Sequence, residues 1–322
     1  MTAATLLSGK RVEQGVRRTD PKRDLAAVGE LMQLAFGPEL DASGRRMVRE
    51  MKRYGQYGWF GWLLAQFMIP TAAFPRGFVW MEQGRLVGNA HMLRVPGYSQ
   101  RWVIANVAVH PEFQRRGIAR QLVEACIDNI HSYGAREILL QVREKNAGAR
   151  KLYEQLEFYV SSTRTDWICP ADPDSTGLSR NPCIRARRKG EWQKQVDLAR
   201  TQYPEGLVWP IPSIETFYKP ASLAGVLGLD FRKHWVWVES GRMLGSLSLI
   251  SRGELSSWHL IMAAAPDVIG SIEASLLPHV FPALKRIQKQ VKFSYPAGLV
   301  DEEIAGMGFV PKSTLHWMRL DL

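Results

Sequence analysis

Cysteine is scarce in this chain, with three in 322 residues. Cys126, Cys169 and Cys183 are odd in number and lack the paired spacing of a metal site. A disulfide framework and a thiolate-held metal are therefore excluded, and the expectation is reduced structural thiols and no metal. Long apolar runs are also missing. The most apolar stretch, Trp59-Phe-Gly-Trp-Leu-Leu-Ala-Gln-Phe-Met-Ile69, is too short to span a bilayer and is interrupted by Gln66, so no integral membrane segment is expected. The N-terminus lacks an apolar core followed by small cleavage-site residues. The first fifteen residues read as a flexible lead and the expected location is cytoplasmic. No block of like charge is long enough to act as a nucleic-acid tail, and no nucleic-acid partner is expected.

What is present is ordinary for a globular chain: 46% hydrophobic and 23% charged residues, with enough length for two domains. The net charge of +11 is unevenly spread. Residues 1–168 hold 24 basic and 16 acidic side chains; the remainder hold 18 and 15. The positive field sits on the first half, where a polyanionic ligand would be drawn.

That half is organised around Ile104-Ala-Asn-Val-Ala-Val-His-Pro-Glu-Phe-Gln-Arg-Arg-Gly-Ile-Ala-Arg120. The apolar run from Val103 to Val109, broken only by Asn106, reads as a buried strand. His110-Pro111 stops it. Leu122, Val123, Cys126, Ile127 and Ile130 then recur at helical spacing. The first amides of a helix lack internal partners and sit at its positive end, so they can hold a pyrophosphate. Gly117 permits close approach, Ala119 keeps the next position small, and Arg115, Arg116 and Arg120 add charge. A glycine turn before a helix also serves as an ordinary tight turn, and on spacing alone both readings stand.

Gln114-Arg-Arg-Gly-Ile-Ala119 resembles the Gln/Arg-x-x-Gly-x-Gly/Ala motif of the GNAT superfamily of N-acyltransferases. The preceding Val-Ala-Val-His-Pro-Glu-Phe resembles that family's fourth strand. Asn146-Ala-Gly-Ala-Arg-Lys-Leu-Tyr153-Glu-Gln-Leu-Glu-Phe158 resembles its next helix. The resemblance covers roughly residues 16–168. It implies acetyl-CoA as co-substrate, with the backbone of Gln114, Arg115, Arg116, Gly117, Ile118, Ala119 and Arg120 around the diphosphate. It assigns the N–H groups around Val107, Ala108 and Val109 to the thioester carbonyl, and Asn146, Ala149 and Tyr153 to the cofactor side of the helix. Asn146 has a second reading as a helix cap. Tyr153 is the implied acid for the leaving thiolate; by spacing alone it is a core tyrosine. The base is the least defined part, because residues 102–109 carry no carboxylate. His91, which shares a strand face with Asn89 and Leu93, is one candidate and is otherwise structural. Asn106 could orient a water. Glu112 and a water chain remain open.

In chain order, a short strand at residues 16–18 precedes a helix opened by Asp20-Pro21, with Leu25, Val28, Leu31 and Met32 on one face. A second helix over residues 43–54 spreads Arg45, Arg46, Arg49, Lys52 and Arg53 along it. The aromatic stretch beginning at Trp59 reads as core or as the wall of an acceptor pocket; beside a basic helix it could instead lie on an anionic membrane surface. Residues 78–93 read as a hairpin turning at Gln83-Gly84. Gly134 stops the central helix. Residues 137–142 form the next strand, residues 146–156 a helix, and residues 158–160 and 163–168 a closing hairpin. The Pro-, Asp- and Ser-containing stretch 169–183 reads as a linker.

The second half repeats the first. Val238-Glu-Ser-Gly-Arg-Met-Leu-Gly245 mirrors Met81-Glu-Gln-Gly-Arg-Leu-Val-Gly88 at an offset of 157. Ala265-Pro266 mirrors His110-Pro111, and Gly308-Phe309 mirrors Glu157-Phe158. The chemistry is not repeated. Asp267-Val-Ile-Gly270 replaces the basic turn, Pro278 and Pro282 interrupt the following helix, and Ala297 and Ile304 stand for Asn146 and Tyr153.

The expected fold is α/β (α+β): two GNAT-like domains, each a mixed, mostly antiparallel twisted sheet flanked by helices, with a splayed central strand in the first. The catalytic domain is placed at residues 1–168, the linker at 169–183 and a degenerate copy at 184–322. The expected activity is transfer of an acetyl group to a primary amine of a small molecule by direct attack in a ternary complex, in a monomer or homodimer. A peptide or protein N-acetyltransferase and a non-catalytic acyl-CoA sensor are the alternatives.

Overall fold

The computed structural model describes residues 14–40, 42–57, 76–170, 173, 181–206, 214–220, 230–252, 258–287 and 290–322. The Trp59–Ile69 stretch, the N-terminal lead and most of the 169–183 segment lie outside the described residues. The chain forms two compact units that interleave in sequence. The first comprises residues 1–140, 151–159 and 319–322, the second residues 141–150 and 160–318.

The first unit runs β1 (Gly15–Arg18), α1 (Pro21–Phe36), α2 (Ala42–Gly55), β2 (Gly77–Glu82), β3 (Arg85–Arg94), β4 (Arg101–Val109), α3 (Ile118–Ser132) and β5 (Glu137–Arg143). Asp20 caps α1 by accepting from the Lys22 N–H, and Pro21 fills the first turn. Gln83 and Gly84 both take positive φ, 49° and 75°, the geometry of a tight hairpin between β2 and β3. Strands β1 to β4 pair antiparallel in order, and β4 pairs parallel with β5 through the α3 crossover. Helix α3 buries Leu122, Val123, Cys126 and Ile130. A Cβ at Gly88 would come within 2.9 Å of Leu122 Cδ1 and 3.0 Å of Ile118 Cγ2, so glycine lets α3 close on β3. The opposite face carries α1 and α2, whose Leu25, Val28, Met32, Val48 and Met51 pack with Val79 and Met81.

Helix α4 (Ala147–Glu154) and strand β5 contribute residues to both units. The second unit continues with β6 (Tyr159–Cys169), β7 (Ile184–Ala186), α5 (Trp192–Gln202), α6 (Ile214–Tyr218), β8 (Asp230–Glu239), β9 (Arg242–Arg252) and β10 (Trp258–Ala264). Helices α7 (Glu273–Leu276) and α8 (Phe281–Ile287), strand β11 (Val291–Pro296), helix α9 (Asp301–Gly306) and strand β12 (Val310–Asp321) complete it. Its strand order is β12-β6-β11-β10-β9-β8-β7. The closing hairpin expected over residues 158–168 does not form. Residues 159–169 are one strand, pairing antiparallel with β11 from Arg164↔Pro296 to Cys169↔Val291. The Ser161-Ser162 step carries no glycine or proline, so nothing in it demands a turn.

Both units repeat one scheme of three antiparallel pairings and then a parallel one: β1 to β5 in the first, β7 to β11 in the second. The likeness reaches single contacts. Ser240 and Gly241 take φ of 47° and 78°, as Gln83 and Gly84 do. A register shift falls at Trp80/Met81 and again at Trp237/Val238. The Trp80 indole donates to Glu82 at 3.0 Å and the Trp237 indole to Glu239 at 2.7 Å. Where the first unit has the continuous α3, the second has α7, a 3-10 turn over Leu277–Val280 and α8, broken where Pro278 and Pro282 fall.

Candidate active site

Three features of the first unit converge on the end of β4. The first is a β-bulge. Asn89 pairs with Ala108 but His91 pairs with Ala105, so Asn106 and Val107 stand opposite Ala90 alone. Asn106 takes φ of 54°, a conformation that asparagine tolerates better than most residues. The second is a parting of strands. β4 and β5 pair from Arg101↔Glu137 to Ile104↔Leu140 and no further, although β4 continues to Val109. Residues 105–107 are accordingly part-exposed in the middle of a central strand. The His110 N–H bonds to Val87 O on β3 at 2.8 Å, so alternation turns the Val109 N–H away from β3, toward the parted side.

The third is the turn. The Gln121 N–H finds Gly117 O at 3.1 Å, while the amides of residues 115–120 have no hydrogen-bond partner among the described residues. Gly117 caps α3 at φ 79°, and Arg115 precedes it at φ 61°. Consecutive amides in such a turn form a concave anion cradle. Gln114 Nε2 donates to Val109 O at 3.1 Å and ties the turn to the strand end. The Arg116 guanidinium donates to Glu112 O at 3.0 Å and lies 4.9 Å over the Phe113 ring. Ile118 is buried and contributes only its backbone, beside part-buried Ala119 and Arg120. Arg120 donates to Gln155 just beyond α4 and lies 3.7 Å from Glu124.

Tyr153 is 6% exposed, edge-on to Phe158 at 6.1 Å, and burial pushes its phenol up to about 12. It is therefore a neutral donor throughout the physiological range. In the second unit, Asn146 Oδ1 accepts from the Ala149 N–H at 3.1 Å and so caps α4. His91 is 2% exposed, and burial holds its imidazole down to about 4. Its Nδ1 lies 2.9 Å from Asn106 Nδ2, while Asn89 Nδ2 donates to Asn106 O at 2.9 Å. The Asn89–Asn106 link was not foreseen in the sequence. A lone asparagine in an apolar strand was the available signal.

The second unit shows what the same scheme becomes without this chemistry. Its β10 pairs with β9 in unbroken register, so the bulge is gone. The Gly270 N–H of its turn donates to Glu273 Oε1 at 2.9 Å, placing an internal carboxylate at the cradle. Glu273 is 1% exposed and also accepts from Tyr295. Gln202 Oε1 takes the Ala264 N–H at 2.8 Å. Tyr203 donates to Met262 O at 3.0 Å, with Ser294 O 3.3 Å away, bridging β10 and β11.

Residues 40–158 match the model of the acetyltransferase (GNAT) family. This stretch of the chain, within residues 40–158, is what carries the GNAT likeness. Among curated relatives, a [ribosomal protein bS18]-alanine N-acetyltransferase of Salmonella typhimurium is 44% identical over 62 residues, 19% of this chain and 42% of that protein. An N-alpha-acetyltransferase of Saccharolobus solfataricus is 36% identical over 72 residues, 22% of this chain and 43% of its own length. The chain thus matches under half the length of these relatives. The fold extends further. A GCN5-related N-acetyltransferase from Sphaerobacter thermophilus aligns over 95% of both chains with a TM-score of 0.64 at 15% identity. A tandem GNAT protein from the clavulanic acid biosynthesis pathway aligns over 96% of this chain and 98% of its own, with a TM-score of 0.58 at 15% identity. The described part is thus a two-domain GNAT fold. Among the described residues there is no cluster of metal-ligating side chains and no helix long and apolar enough to cross a membrane.

Proposed function

We propose that this protein is an acetyl-CoA-dependent N-acetyltransferase acting on a primary amine, with chemistry in the first copy and a degenerate second copy. The observation that carries this reading is the run of unpartnered amides at residues 115–120 behind a bulged strand that has parted from its neighbour. The co-substrate supplies an activated acetyl thioester. The cradle residues hold its diphosphate, and Arg115, Arg116 and Arg120 add positive charge around it. Val109 N–H, with the bulged Val107, faces the acetyl carbonyl and stabilises negative charge on its oxygen.

Tyr153 faces the leaving sulfur. Its phenol, at about 12, is a weaker acid than a thiol near 8.5, so complete proton transfer from it would cost about 5 kcal/mol. Tyr153 therefore donates a hydrogen bond to the thiolate. The proton shed by the attacking amine completes the thiol, so one C–N bond forms as one C–S bond breaks.

The acceptor is a small-molecule amine in this reading. The α-amine of a protein N-terminus is the second, favoured by what the curated relatives are named for. Thiol release from acetyl-CoA, measured with a polyamine, an amino sugar and an alanine-initiated peptide, separates the two. Tyr153→Phe, which removes one donor to the developing thiolate, is expected to lower kcat by about 100-fold at unchanged CoA affinity. Binding of acetyl-CoA with no thiol release on any amine would mark a sensor instead.

A further inference from the structure

Resting on the acetyltransferase reading, we propose that Asn89, Asn106 and His91 form a positioning trio. It holds the β4 bulge in the shape that aims the strand's amides at the thioester carbonyl, and His91 is a positioning residue there rather than the base.

The bulge needs a restraint. Asn106 sits in the left-handed region at φ 54°, in mid-strand, where the neighbouring pairings on both sides are regular. Such a conformation persists only where its surroundings over-determine it. Two contacts do so. Asn89 reaches across from β3 to hold the Asn106 carbonyl at 2.9 Å, and His91 Nδ1 meets the Asn106 side-chain amide at 2.9 Å. One residue is thus held at main chain and side chain together, by two neighbours spaced two apart on one face of β3. Asn89 is 0% and His91 2% exposed, so little water competes for these bonds. With Asn106 Nδ2 donating, His91 Nδ1 accepts and the ring proton lies on Nε2. The ring nitrogen able to accept a proton is therefore already engaged, which is the wrong tautomer for a base facing an incoming amine.

The chain carries its own control. At the repeat offsets of 157 and 155, the second copy has Ser246, Ser248 and Ile261 in place of Asn89, His91 and Asn106. There the equivalent strands pair without a shift, from Trp258↔Ser251 to Ala264↔Gly245. Where the trio is absent, the bulge is absent, within one chain and one strand scheme.

The test is isotope-edited infrared spectroscopy of acetyl-CoA carrying a 13C carbonyl, bound to the full-length protein, with CoA affinity measured by calorimetry. The wild-type protein should lower the carbonyl stretching frequency below that of free acetyl-CoA. Asn106→Leu and His91→Leu should lose that shift while holding CoA affinity within about threefold, since the diphosphate cradle is untouched. His91→Gln, which can still accept from Asn106, should restore the shift and leave the pH profile of thiol release with the best amine of the panel as in wild type. If Asn106→Leu does not fold, Asn106→Gly keeps the positive φ without the amide and should show a partial shift. The trio is refuted if the shift survives undiminished in Asn106→Leu, or undiminished in both His91→Leu and Asn106→Gly. It is also refuted if His91→Gln keeps the shift but abolishes turnover, which would make His91 the base. Failure of wild-type protein to bind acetyl-CoA would instead overturn the acetyltransferase reading.

Discussion

The cradle makes a quantitative prediction at Gly117. A Cβ built there meets only Gln121 Nε2, at 3.9 Å, so the fold has room for a side chain, and the penalty is the positive φ of 79°. Gly134, at the other end of α3, has φ 69° and nothing within 4 Å. Alanine at either site should therefore cost the fold the same amount, about 1 kcal/mol, or about 2–4 °C in Tm for a unit of this size. Only Gly117 borders the cradle. A glutamate there would place a carboxylate about 5 Å from a diphosphate charge, about 1.7 kcal/mol per unit charge at an effective dielectric of about 40. Screening leaves about 2 kcal/mol for the pair of phosphates, roughly thirtyfold in Kd. Calorimetric titration of CoA into Gly117→Glu and Gly134→Glu, with melting curves on both, isolates the electrostatic effect from the strain. Equal CoA affinity in the two variants, or wild-type affinity in Gly117→Glu, would refute the placement of the diphosphate.

Three further outcomes are expected. Titration should find one CoA per chain, because Glu273, Gln202 and Tyr203 fill the second copy's cradle and cleft from within; two sites of similar affinity would contradict this. Acidification should destabilise the protein: burial holds His91 at about 4, His234 at about 3 and His259 at about 4, all below the ordinary 6.5, so the unfolded chain binds protons first as pH falls. Stability should be full above about pH 6.5 and fall toward pH 4 by about 1.4 kcal/mol per pH unit for each histidine, and urea midpoints at pH 7 and 5 would check it. Removing residues 319–322 should lower the melting temperature of the first unit. The deletion strips the Arg319–Glu137 ion pair at 3.2 Å, the Tyr159–Asp321 bond at 2.9 Å and the Leu322 N–H on Arg136 O at 2.9 Å; unchanged melting would show that these residues carry no load.

Local chemistry was legible in the residues. Gln83-Gly84 and Ser240-Gly241 declared their turns, Asp20-Pro21 its cap, and Pro278 with Pro282 the break in the second copy's helix. The strand, turn and helix around Gln114 to Arg120 could be read because each piece is local. The bulge could not, since it depends on Asn89 and His91 meeting Asn106 across 17 and 15 residues of chain. The same holds for the return of residues 319–322 to the first unit. Strand β6 read as a hairpin because the polar Ser161-Ser162 step divides the apolar Phe158-Tyr-Val160 from residues 163–168. Its partner β11 lies more than a hundred residues away in sequence, beyond the reach of any local pattern.

The two copies together separate what the fold requires from what the reaction requires. Both keep the hairpin turn, the Trp–Glu bond, the strand scheme and a glycine under the following helix: Gly88 against Leu122, Gly245 against Ile272. Those belong to the fold. The first copy alone has the left-handed asparagine with its bulge, and part-exposed residues 105–107 where β10 is buried; in both copies the central strand parts from its parallel neighbour, β10 pairing with β11 only from Trp258↔Val291 to Leu260↔Phe293. The strain at Asn106 is a cost that packing alone does not repay, and the amides of residues 115–120 find no partner among the described residues. In the second copy the same places are relaxed, with regular register and side chains of Glu273, Gln202 and Tyr203 on the backbone groups. Under the proposed function, the groups left open in the first copy are the ones a ligand would take.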